Sequence, residues 1–198
     1  MDLGANIFNA FEVVNKTHES IQRLMRFCEN KAVERGDYVL VSPKFLRWNT
    51  DSDPGAWSYK RLIQLYQREA DDEFGDYLWR DGPLFVFEMS LYDPDNYDIP
   101  VVNISKYEYE DIASKITWPP SPTNYWSIKP PMYSEDKVKY EYSEDRCKYE
   151  GTVIDTRQAD RHWWGLRRIV GFSVPLIDIT NENAEDIIFG GFDSLVEK

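Results

Sequence analysis

The stretch DRHWWGLRR, residues 160–168, is a basic and aromatic island in a chain of 198 residues whose net charge is −12. Arg161, Arg167 and Arg168, with Arg157 just upstream, carry planar guanidinium forks that match phosphate or carboxylate. Trp163 and Trp164 are the side chains that serve as stacking platforms or as the anchors of a binding surface. His162, near Asp155 and Asp160, supplies two parts of a catalytic triad, but nothing marks a nucleophile to go with them. The island therefore reads as a candidate anion- or ligand-binding set: Arg157, Arg161, His162, Trp163, Trp164, Arg167 and Arg168. The structural alternative sends one tryptophan into the core and lays the other over an edge. The arginines then pair with the acidic block of residues 71–111.

A second candidate lies in PLFVFEMSLYDPD, residues 83–95, where Glu88 is followed by Asp93 and Asp95. Carboxylates gathered at a strand end hold Mg²⁺ in phosphoryl chemistry, so a metal-dependent hydrolase or nuclease is the alternative function. A nuclease core of that kind wants a lysine two residues after its second acid, and Ser90 stands in that place. The sequence DPDN is more simply a turn. Asn49, Asp51 and Asp53 imitate a calcium loop, but Pro54 replaces its glycine and Lys60 its closing glutamate. Cys28, Cys147, His18 and His162 are too scattered for a zinc site. No phosphate-binding glycine loop, nucleophile elbow or metalloprotease motif is present, and no cofactor is expected.

Charge sorts the partners. Residues 71–111 hold two basic and twelve acidic side chains, whereas residues 151–174 are +2. Such a chain repels nucleic acid, which demands a basic footprint, and attracts a basic protein. Asp71, Asp72, Glu73 and Asp76 are the candidate contact residues. The leading expectation is thus a non-catalytic, acidic binding or regulatory protein, inhibitor- or immunity-like by analogy of charge alone. A small anionic-ligand or nucleotide sensor built on the island is a further alternative. No segment reads as a signal peptide or membrane span, and two unrelated thiols look like reduced core residues, so a cytoplasmic location is expected.

These groups must be positioned by the elements around them. Ile7, Phe11, Val14, His18, Ile21, Met25, Cys28 and Ala32 are spaced alternately by four and three, the rhythm of a helix seam. The spacing predicts a helix over residues 6–35, capped by Asn6 and closed by Gly36. Its seam packs on the protein's own sheet or, alternatively, on a second copy in a dimer; the widened stripe favours the sheet. YVLVSP (38–43) reads as a strand, and Tyr59, Leu62, Ile63, Tyr66 and Ala70 predict a second helix over 57–73. Strands follow at 83–92 and 99–105. Ser105 and Glu108 form a capping box that opens a short helix through Ile116.

Five prolines in residues 117–131 make an irregular crossing. Beyond it, YSEDKVKYE (133–141) is followed at once by YSEDRCKYE (142–150), identical at seven of nine positions. A nine-residue period inverts the face of either element, so the repeat is best met by a hairpin over 137–154 turning at Ser143, Glu144 and Asp145. Residues 164–179 give another strand, and Asn181 caps a closing helix ended by Gly190 and Gly191. The expected whole is one α+β domain: a long N-terminal helix and a second helix on a mainly antiparallel sheet.

Overall fold

The seam spacing folds as α1, Leu3–Arg35, in a computed structural model that describes residues 2–42, 46–47, 60–75, 79–93, 97–116, 128 and 136–197. The calcium-like loop, Asp76, Asp95 and the proline-rich crossing apart from Ile128 lie outside the described residues. α1 begins earlier than Asn6: the Asp2 carboxylate accepts from the Gly4 and Ala5 amides and caps the first turn. Gly36 ends it in the left-handed region at φ 68°, its amide donating to the Ala32 carbonyl.

The strands are β1 (Tyr38–Leu40), β2 (Leu46–Arg47), β3 (Arg61–Arg68), β4 (Leu84–Ser90), β5 (Val101–Tyr109), β6 (Val138–Tyr142), β7 (Lys148–Val153) and β8 (Leu166–Pro175). They form one antiparallel sheet in the order β1-β3-β4-β5-β8-β7-β6, with β2 also pairing with β3. The shorter helices are α2 (Ile112–Lys115), α3 (Thr156–His162) and α4 (Ala184–Val196). The architecture is α+β, and the helix that joins α1 on the sheet is α4.

The second helix expected at 57–73 is corrected to strand β3. Every residue of β3 from Arg61 to Gln67 is buried, because the sheet is covered on both faces. Leu62 and Tyr66 enter one core, while Ile63 and Leu65 enter the other. Doubly buried strands lose the alternation of polar and apolar residues by which a strand is recognised. Its glutamines are satisfied internally: Gln67 donates to the Arg80 and Gly82 carbonyls and accepts from the Arg80 amide.

On the first face, Phe85, Phe87, Met89, Val102 and Ile104 meet Met25 and Cys28 of α1 and Ile188, Phe189 and Phe192 of α4. Gly191 lets α4 come close, since a Cβ there would stand 2.8 Å from the Phe172 ring. α4 therefore runs through Gly190 and Gly191 instead of ending at them, and its cap position is Asn183, not Asn181. On the second face, Leu84, Val86, Tyr107 and Ile169 pack with Trp79, Ile128, Ala159 and Trp163.

The capping box is also overturned. Ser105 pairs with Val86 and Gly171 inside the sheet, and β5 continues to Tyr109. The short helix α2 starts later, with the Asp111 carboxylate accepting from the Ser114 amide. The repeat forms the expected hairpin, with Val138 opposite Val153 and Tyr142 opposite Tyr149. Its turn places Cys147 in solvent, so only Cys28 is a core thiol. Burial pushes the Cys28 thiol up to about 12.

Candidate functional site

The island is split by the turn between α3 and β8. The Asp155 carboxylate caps α3 through the Gln158 amide. The chain then reverses with Trp164 at φ 51° and Gly165 at φ 78°. Trp163 is 2 % exposed and belongs to the core. Trp164 is half-buried and meets Trp79 edge-on, with centroids 5.9 Å apart. Neither ring forms the open pair of stacking surfaces that the sequence offers.

The arginines divide as well. Arg167 donates to Glu110 and, at 2.7 Å, to Asp160. Arg168 reaches Glu150 at 2.7 Å and Glu108 at 3.2 Å. Burial works against the charged form of Glu108, yet Lys106 and Arg168 together hold its carboxyl below the usual range. Arg167 likewise holds Asp160 low, with help from Lys115 at 3.4 Å. Two of the four acids thus engaged, Glu108 and Glu110, come from the acidic 71–111 block. Arg157, Arg161 and His162 stay exposed on α3 and make no ion pair among the described residues.

Glu88 sits mid-sheet on the second face, 1 % exposed. Its neighbour is a residue the sequence did not single out: Arg61 of β3, which lies 3.7 Å from Glu88 and also bonds Asp93. A guanidinium therefore stands where the hydrolase reading would place a cation. No group of three His, Cys, Asp or Glu suited to a metal occurs among the described residues. Around this charged set lies a polar network. Ser173 donates to the Asn103 amide oxygen at 2.7 Å, Tyr97 reaches both, and Ser105 bonds Tyr149 at 2.7 Å. Burial raises the Tyr107 and Tyr149 hydroxyls well above their ordinary range, keeping them protonated. Arg61 went unread because its segment was expected to be helical.

Negative charge is concentrated in the segment between β3 and β4. Residues 69–82 contain six acids and a single base, Arg80. Arg80 is 5 % exposed and bonds Glu69 at 3.0 Å and Glu73 at 3.2 Å from beneath. Glu73 is thereby tied to its own chain, whereas Asp72 and Asp81 are exposed and adjacent, the Asp81 amide donating to the Asp72 carbonyl. Burial first, then Asp72 and Asp81, push the half-buried Asp71 carboxyl upward against Arg68 and Arg80.

A further open surface among the described residues is on α1. Only Ile21, Met25, Cys28 and Ala32 of the seam are buried. Leu3, Ile7, Phe8, Phe11, Val13 and Val14 are all exposed, half of the twelve large apolar side chains left in solvent among the described residues. Where this arm meets the body, a groove of about 540 Å³ runs between Ile21, Leu24 and Phe27 of α1 and Leu176 and Ile179 after β8. No described helix is long and apolar enough to cross a membrane. Comparison with protein-family models, with curated proteins and with solved structures finds no match.

Proposed function

We propose that the protein is a non-catalytic binding protein that engages a basic protein partner through the acidic turn at residues 69–82. The observation that carries this reading is a crowd of acids that the nearby bases only partly offset. Asp71, Asp72 and Asp81 stand together; Arg68 acts on Asp71, and the buried Arg80 guanidinium is already committed to Glu69 and Glu73. Like charges held together cost stability, and an approaching cationic surface relieves that cost while the −12 field steers it in. The fate of the island supports the same reading. Trp163 is in the core, and Arg167 and Arg168 are spent on carboxylates of the chain.

The test is titration of the whole protein with a lysine- and arginine-rich peptide at two salt concentrations. Asp72→Lys with Asp81→Lys changes two exposed residues and leaves the Arg80 pairs intact. The expected loss is about tenfold in affinity, with a shallower salt dependence. Equal affinity of wild type and variant overturns the assignment of the turn as the contact.

A further inference from the structure

The exposed half of α1 has a chemistry that selects its own covering. We propose that the arm, residues 3–20, pairs with the same arm of a second copy in an antiparallel two-helix seam, making the protein a homodimer. Ile7, Phe11, Val14 and His18 continue, in unbroken 4-3 spacing, the stripe that Ile21, Met25, Cys28 and Ala32 bury against the sheet. The arm thus runs about 21 Å, residues 3–16 at 1.5 Å each, before Thr17 reaches the groove against the body. A seam of this kind in water is stable when a matching apolar stripe covers it.

Charge selects a second copy as that cover. The positions flanking the seam are Phe8, Ala10, Asn15 and Thr17, none of them charged, so identical arms meet without repulsion. Glu12, Lys16 and Glu19 lie off the seam, and residues 3–20 sum to −1 in a chain of −12. A basic partner is drawn to the body, whereas the arm offers it almost no field. Orientation follows from the same numbers. Parallel arms set two strongly acidic bodies side by side. Antiparallel arms hold them at opposite ends of the bundle instead, where screening over about 8 Å weakens their repulsion.

Two-fold pairing in which residue i meets residue 25 minus i sets Phe11 on the partner's Val14. It also brings the tip of each arm, near Leu3, to the partner's Ile21 and Leu24, where the groove opens.

The experiment uses the full chain with Cys147→Ser as background. Sedimentation equilibrium is expected to show a reversible dimer, and Phe11→Asp with Val14→Asp to give monomer with an unchanged circular dichroism spectrum. Val33→Asp, on an 84 % exposed position of the packed half, leaves the dimer intact. Spin labels then fix the direction. In the antiparallel pair a label at Val13 lies close to its counterpart, and one at Asn6 stands about 20 Å further apart along the axis. Wild type that stays monomeric to hundreds of micromolar overturns the proposal, as does a double variant that remains dimeric. Short distances at both labels overturn the antiparallel arrangement.

Discussion

The two halves of α1 carry one sequence rhythm and meet two different fates. From Ile21 onward, the stripe is sealed against Phe85, Phe87 and the α4 aromatics. Before it, Ile7 is 53 % and Phe11 67 % exposed on the same face of the same helix. What separates them is the apolar surface beneath, which the sheet and α4 supply to the later half. The C-terminal half is also anchored by charge: Arg35 bonds Asp37 and Asp193, and Tyr38 donates to Asp193 at 3.0 Å. Periodicity therefore reports which face of a helix is apolar, and the extent of the partner surface decides how much of it is covered.

The comparison is sharpened first by its cysteines. Cys28 lies in the sealed half and Cys147 in solvent. A thiol reagent is expected to modify Cys147 at once and Cys28 only through opening of the fold, a rate difference of at least about 10³. Rapid double labelling in native buffer contradicts the packing of α1 on the sheet. Next in size is truncation within the helix. Met25→Ala is expected to cost about 2–5 kcal/mol in urea unfolding. Val13→Ala, on the exposed arm and off the seam, stays within about 0.5 kcal/mol. Equal costs would erase the distinction between the halves.

Smaller effects distinguish closed from open charge. Arg168→Ala removes a half-exposed pairing with Glu108 and Glu150, worth about 0.2–1 kcal/mol at neutral pH. Because the Glu108 carboxyl is held low in the fold, that stability is present above its ordinary range and fades as pH falls through the folded value. Asp71 has the opposite sign. Its carboxyl is raised in the fold, so ionisation at neutral pH works against folding. Asp71→Asn is expected to raise the melting temperature at pH 7, and the gain to vanish in acid where both states are protonated. A loss at pH 7 contradicts the burial and acidic crowding that together raise the Asp71 carboxyl.

Much of this was legible in the residues. The seam gave α1 and its closing glycine, and the repeated YSED segment gave the hairpin with its turn. The structural alternative for the island sends its arginines to the 71–111 block. Glu108 and Glu110 meet Arg168 and Arg167, while Glu150 and Asp160 come from outside that block. The strand β3 was not legible, because two covered faces make an apolar run resemble a helix stripe. Its error concealed Arg61, the partner of Glu88 and Asp93. Nor does spacing alone separate Arg168, paired across the sheet, from Arg157 and Arg161 on the preceding helix. That division comes from β-pairing: Glu108 lies opposite Arg168 in register, and residues so far apart in sequence meet only in the sheet.

The most direct test of the account is hydrogen exchange along α1 at two protein concentrations. In dilute solution, amides of residues 21–35 are expected to be protected to the level of the sheet, while those of residues 3–20 exchange fast. At high concentration, protection of the arm is expected to rise and that of the packed half to stay fixed. Uniform protection along the helix, the same at both concentrations, would contradict the division of α1 into a sealed half and an arm that awaits its partner.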